Sequence, residues 1–324
     1  MPDNRNIINF GLGLKTEWEV TLTDSRTGKI KQYIPWHKNK ILDDGLNERL
    51  SNTARFWSGT SSSIFPYIAV GTGNVAPEYT DLALGTERAR KILNTSLCSY
   101  GVSPANAPYF IIGTQWGTTE ANYDLTEVAL CKSVSGGILW SRDLFRDEFG
   151  VPTIVSKENT DILTVKCKTT IERTSEDPYT PVTLDGRSVT GIILNSGLQD
   201  ATGRGSSTPP TWWSSDSWYA GTSNAAPSAT QTGLIGTNLG SSSNLVWSAA
   251  HEGPGDGGFY RDATITFLSY QPVNASCSIG EVVGGIGAGA SYTVLKSRHT
   301  FDAAIVKDTD YQLAFTVRVT LSRT

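Results

Sequence analysis

The stretch Gly71-Thr72-Gly73-Asn74-Val75-Ala76-Pro77 decides how the chain reads, because it returns as Gly221-Thr222-Ser223-Asn224-Ala225-Ala226-Pro227. Each copy follows an aromatic-rich run, Phe65 to Val70 in one case and Trp218-Tyr219-Ala220 in the other, and each leads into a polar segment that ends in a leucine, Leu84 or Leu234. Gly-Thr-Gly resembles the start of a phosphate-cradling loop. No Gly-Lys-Ser/Thr follows it, however, and no amphipathic helix opens behind it, so the pattern reads as a strand entering a Gly/Asn/Pro turn.

The surrounding chain repeats as well. Ile41-Leu42-Asp43-Asp44-Gly45-Leu46 is answered by Ile193-Leu194-Asn195-Ser196-Gly197-Leu198. Leu125-Thr126-Glu127-Val128 is answered by Ile279-Gly280-Glu281-Val282, and Ser141-Arg142-Asp143-Leu144-Phe145 by Ser297-Arg298-His299-Thr300-Phe301. The alternating run Leu163, Val165, Cys167, Thr169, Ile171, Arg173, Thr174 returns as Leu313, Phe315, Val317, Val319, Leu321, Arg323, Thr324. With the loop itself, that makes five landmarks recurring in one order, which is the mark of a tandem duplication. The expected fold is all-β, with two tandem related β-sandwich domains, each carrying at most a short helix. The expected domains are 1–175, with an N-terminal hairpin, and a divergent copy at 176–324, joined near Glu176-Asp177-Pro178.

Local patterns agree with the β class. Trp18 to Thr23 alternates, Asp24 to Gly28 supplies a turn, and Lys29 to Trp36 returns as a hairpin. Tyr109 to Trp116 and Ile162 to Thr174 read as strands, and Leu125–Leu130 with Ile138–Phe145 as a second hairpin across Ser133–Gly137. Asp43 or Asp44 is placed to cap a short helix with Leu46 and Leu50 on its apolar face. Thr86 to Lys91 is mixed in charge and reads as a solvated face or an interface edge.

Composition excludes several functions. The formal net charge is -4, small and of the wrong sign for an electrostatic nucleic-acid binder. No window has the apolar length of a membrane helix, and the N-terminus lacks the features of a signal peptide, so a cytoplasmic product is expected. Cys98, Cys131, Cys167 and Cys277 lie far apart and read as reduced thiols, with Cys167 in a core position. His37, His251 and His299 have neither zinc-site spacing nor a nucleophile motif beside them. Asp143 with Asp147 and Glu148 could in principle form a glycosidase pair, but clustered acids on a turn are usually solvated. Glu127 and Glu281 occupy the same repeated position, which fits a salt bridge to Arg142 and Arg298, or a satisfied buried turn, better than a base used twice. No catalytic, cofactor-binding or metal-binding residue is assigned, and no cofactor is expected. Trp212, Trp213 and Trp218 stand in a Gly/Ser/Pro-rich stretch and are the candidate contact residues, for a partner subunit, for a glycan, or for the domain's own core.

One set of residues carries a family resemblance. It runs His37-Lys38-Asn39-Lys40-Ile41 and Asp44-Gly45-Leu46, then Tyr67 to Gly73, Pro77, Asp81 to Leu84 and Glu87 to Arg90. It continues with Thr126 to Leu130, Ile138 to Arg142 and Phe145, and ends in the closing alternating strand. This order resembles structural proteins of tailed bacteriophages. The match covers about 18–174 well and the second copy more loosely, where Ser223 replaces a glycine and the Glu-Arg-Ala-Arg segment is missing. The resemblance implies a virion protein of the neck, collar, tail or baseplate. It implies symmetric assembly with copies of itself and with other virion proteins, and no turnover, nucleic acid or membrane. Two alternatives belong to other classes: a receptor- or polysaccharide-binding protein with the three tryptophans as its platform, and a polysaccharide-degrading enzyme.

Overall fold

The computed structural model describes residues 7–51, 63–103, 107–173, 182–184, 187–194, 219–221, 238–241, 244–247, 259–267, 277–288, 292–307 and 313–324. The chain begins with β1 (Ile7–Asp24), β2 (Ile30–Lys38), β3 (Lys40–Ile41), α1 (Asp43–Ser51) and β4 (Tyr67–Gly71). Next come β5 (Glu87–Ile92), β6 (Ser99–Val102), β7 (Pro108–Trp116), β8 (Asp124–Leu125) and β9 (Glu127–Cys131). They are followed by β10 (Leu139–Leu144), β11 (Val155–Ser156), β12 (Asp161–Arg173), β13 (Val182–Leu184), β14 (Arg187–Leu194) and β15 (Tyr219–Gly221). The last are β16 (Asn238–Ser241), β17 (Asn244–Trp247), β18 (Phe259–Phe267), β19 (Cys277–Ala288), β20 (Tyr292–Lys307) and β21 (Leu313–Arg323). The protein is mostly β, and α1 is the one α-helix among the described residues. None of its described helices is long and apolar enough to cross a membrane.

The strands fall into two compact units. The first unit comprises Leu14–Gly101, Tyr109–Ile171 and Arg323–Thr324; the second comprises Met1–Gly13, Val102–Pro108 and Glu172–Ser322. In the first unit, β12 alternates over most of its length: Leu163, Val165, Cys167, Thr169 and Ile171 are buried, Ile162, Thr164, Lys166 and Lys168 are only partly covered, and the alternation stops at Thr170, which is buried too. It pairs antiparallel with β7, Leu163 opposite Trp116 and Thr170 opposite Tyr109. A five-stranded sheet runs β3-β10-β9-β4-β5. Its central strands β9 and β10 are buried at every residue, so their sequence lacks the alternation of a half-solvated strand. The helix α1 lies directly on β10, where a Cβ added to Gly45 would sit 2.6 Å from the Trp140 carbonyl oxygen. Asp43 and Asp44 stand inside the first helical turn rather than before it, and the Asp43 carboxylate accepts from Arg323 instead of capping the helix. Both acids still favour the positive end of the helix dipole.

The same order recurs in the second unit. There a sheet runs β14-β20-β19-β15-β16 beyond the short β13, with registers that match pair by pair. Gly71 faces Glu127, and Gly221 faces Glu281. Asp143 faces Val128, and His299 faces Val282; Ser141 faces Ile41, and Ser297 faces Ile193. The register slips between Val70 and Gly71 against β5, and between Ala220 and Gly221 against β16. Likewise β21 pairs with β18 with Leu313 opposite Phe267, as Leu163 is opposite Trp116. A one-residue slip would send each side chain to the opposite face, so this agreement over several strand pairs is a demanding coincidence.

Candidate functional site

The loop after β4 is closed from beneath by Glu127, whose side chain is fully buried. Its Oε1 accepts hydrogen bonds from the Gly73 N–H at 2.9 Å and the Thr86 N–H at 2.7 Å. Its Oε2 accepts from the Gly85 N–H at 2.9 Å, and from Arg142 Nη2 at 3.0 Å and Nε at 3.3 Å. Arg142, also buried, donates onward to the Asp81 carboxylate and to the Val75 carbonyl oxygen at 3.0 Å. Thr126 completes the closure by donating its backbone N–H to Gly71 O at 2.8 Å and its hydroxyl to Gly73 O at 2.7 Å.

This arrangement explains the glycines. A Cβ on Gly71 would lie 2.5 Å from the Thr86 carbonyl oxygen, and one on Gly73 would lie 2.5 Å from Glu127 Oε1. The backbone must approach a carboxylate closely, and glycine permits it. The N–H groups that make such a loop resemble an anion cradle are spent on an internal anion. Burial alone would lower the affinity of Arg142 for its proton, but Asp81 and Glu127 together hold its pKa above the ordinary arginine value. A buried, charged glutamate is tolerable here because three N–H groups and a guanidinium surround it. Of the two roles read for Glu127, salt bridge and satisfied turn, it fills both.

Beside the loop lies a cleft of about 450 Å³, lined by Lys38, Lys40, Pro77, Tyr79, Arg146 and Arg323 among others. Tyr79 anchors it: Lys40 Nζ lies 4.9 Å and the Arg323 guanidinium 4.2 Å from the ring centroid. Most of the cations are tied back. Lys40 donates to the Pro77 carbonyl and lies 3.6 Å from Glu78, while Arg323 donates to Ile41 O at 2.8 Å and to Asp43. Arg146 donates to Asp143 at 3.1 Å and to Gly150 O at 3.0 Å.

The three acids of the possible glycosidase pair are thus separated in role. Asp143 is buried and bound to Arg146 and to the Leu144 N–H, Asp147 accepts from N–H groups of its own turn, and Glu148 is exposed. His37 is half-buried beside Pro35 O at 3.2 Å, and burial pushes its pKa down. Cys131 and Cys167 are free thiols in the core; burial pushes Cys131 up to about 12 and Cys167 well above the usual range. Cys98 is free and partly exposed. Among the described residues, no group of three or more His, Cys, Asp or Glu side chains is placed to hold a metal ion. Trp212, Trp213 and Trp218 lie outside the described residues, as do Ser223 and His251. Sequence reading passed over the pairing of Tyr79 with Arg323, whose signal is only an aromatic and a distant arginine.

No family model, curated protein or solved structure matches the chain.

Proposed function

We propose that the protein is a non-enzymatic structural component of a tailed bacteriophage particle, assembling as a ring or multimer at the neck, collar or tail. Its two halves are divergent copies of one β module, and its partners are copies of itself and neighbouring virion proteins. The observation that carries this reading is the recurrence of one sheet order and one register in both halves, down to the slip at Gly71 and Gly221. A duplicated module offers two related faces, so one subunit can bridge two neighbours. The conspicuous polar residues of the first copy support the same view, because Glu127, Arg142 and Asp81 are engaged in holding backbone and one another in place. The resemblance of the loop, hairpin and closing-strand motifs to phage structural proteins names the assembly.

The test is mass spectrometry of gradient-purified particles produced from the genome that encodes the chain, followed by a density map. The expected result is peptides of this protein at a fixed multiple of the tail's symmetry. Particles that are infectious and contain none of it would end the proposal.

A further inference from the structure

Lys157, in the first unit, is buried, with only 3% of its surface exposed. A buried lysine is ordinarily paired with a carboxylate. Lys157 Nζ instead donates to two uncharged oxygens, Asn122 Oδ1 at 2.7 Å and Glu158 O at 3.4 Å, and makes no ion pair among the described residues. Burial pushes its pKa down, against the charges of Asp161 and Glu120, which favour the ammonium from further off. A desolvated lysine that gives up its proton more easily than usual is a nucleophile.

The chain holds the Asn122 carboxamide against that amine. β8 and β11 pair with Leu125 opposite Val155 and Asp124 opposite Ser156. The next residue along, Lys157, donates its backbone N–H to Tyr123 O at 3.1 Å, so it lies alongside Asn122 and Tyr123. Just before Asn122, Ala121 takes a φ of 53°, a left-handed conformation that a residue with a Cβ seldom adopts. The Tyr123 N–H then closes the turn on Ala121 O at 3.0 Å. Asn122 Nδ2 donates to Thr118 O at 2.9 Å, and the loop is tightened where the Gly117 N–H donates to Glu120 Oε2 at 2.7 Å. The carboxamide is thus fixed at both ends, its oxygen on Lys157 and its nitrogen on Thr118. Its carbon lies one C=O bond, about 1.2 Å, beyond the oxygen that Nζ already touches. Asn122 is exposed, so water reaches the residue that carries the carboxamide.

We propose that Lys157 and Asn122 are the two halves of an intramolecular cross-link, an amide bond between Nζ and Cγ. The ammonium gives one proton to water, and the neutral amine attacks Cγ. The Nζ–Cγ bond forms and the Cγ–Nδ2 bond breaks. A second proton passes from Nζ through solvent to Nδ2, which leaves as ammonia. One amide replaces another, so nothing is oxidised or reduced. Proximity supplies the rate, because well-oriented groups held in contact react as if at about 10⁵–10⁸ M. The exchange also removes a buried, unpaired charge, which favours the product. The bond would tie the loop before β8 covalently to the end of β11, across a strand pair only two residues long. This inference goes beyond the assembly reading and does not rest on it.

Intact mass spectrometry of the full chain, freshly purified and after prolonged incubation at mildly alkaline pH, tests it. The expected parent is one ammonia lighter than its sequence, and proteolysis yields a branched peptide that joins the segments holding Asn122 and Lys157. Lys157→Arg keeps a cation in place of the nucleophile, and Asn122→Ala removes the electrophile. Each variant keeps the full mass of its own sequence and unfolds at a lower temperature than the cross-linked parent. The parent's mass decides the matter even where a variant fails to fold. A parent that keeps its full sequence mass after incubation, or an ammonia loss that maps to another residue, overturns the cross-link and leaves the assembly reading untouched.

Discussion

Replacing Glu127 by Gln is the sharpest test of how the repeated loop is held. If the Gln oxygen keeps the Gly73 and Thr86 N–H groups, the new NH₂ stands where Oε2 was. It then points at the Gly85 N–H, 2.9 Å away, and at two Arg142 nitrogens 3.0 and 3.3 Å away. Turning the amide over moves the conflict to Gly73 and Thr86, 2.9 and 2.7 Å away. Either orientation sets donors against donors in a fully buried place. Losing one partner of a buried, hydrogen-bonded ion pair costs about 3–5 kcal/mol, so about 4 kcal/mol is expected. Set against a typical total of about 5–15 kcal/mol, that is a large loss. Urea unfolding followed by fluorescence of the buried Trp18, Trp116 and Trp140 reads it directly. Hydrogen exchange should show faster exchange at the Gly73, Gly85 and Thr86 amides before global unfolding. Arg142→Met provides the second arm of a double-mutant cycle, and the pair should cost less than the sum of the singles by at least about 1 kcal/mol. A Glu127→Gln protein within about 1 kcal/mol of the parent, or additive singles, would refute the staple.

If the halves are copies, Glu281→Gln should lower stability in the same direction as Glu127→Gln, because Glu281 faces Gly221 as Glu127 faces Gly71; an unchanged urea midpoint would count against the duplication. Gly71→Ala should destabilise by about 2 kcal/mol or more, since its Cβ would meet the Thr86 carbonyl oxygen at 2.5 Å. Gly28→Ala, at a φ of 70° in open space, should cost only about 1–2 kcal/mol, and the two are compared by the same unfolding curves. Burial alone would raise the Asp161 pKa, but the Glu158 N–H, the Lys31 ammonium and the Thr160 hydroxyl together hold it below the ordinary aspartate value. That carboxylate therefore stabilises the fold above its unfolded pKa, and the contribution is lost as pH falls through the lower folded value. Urea midpoints taken from about pH 5 down to about pH 2 should fall more steeply for the parent than for Asp161→Asn.

Elements whose signal is local were readable before any coordinates. The alternation of Leu163, Val165 and Cys167 fixes a strand and its buried face, and the Asp24–Gly28 turn closes the first hairpin where its residues demand it. The helix at Asp43–Ser51 was legible, but its capping was not: Asp43 turns to Arg323, an arginine some 280 residues away in the chain. The tip at Phe149 carries an Asp-x-x-Gly turn signal in plain sight, yet its exposure depends on what neighbouring strands leave uncovered.

Sequence alone determined the β class and the repeated landmarks, and it offered Arg142, across one hairpin, as a partner for Glu127. Periodicity, turn chemistry and a short loop act within a few residues, so they are written in the order of the chain. Only the tertiary structure decided that Glu127 also captures Gly73, Gly85 and Thr86, that Arg142 reaches Asp81, and that the glycines of the repeated loop make room for a carboxylate. Those contacts join segments 41–61 residues apart, and sheet pairing, which no local pattern encodes, brings them together.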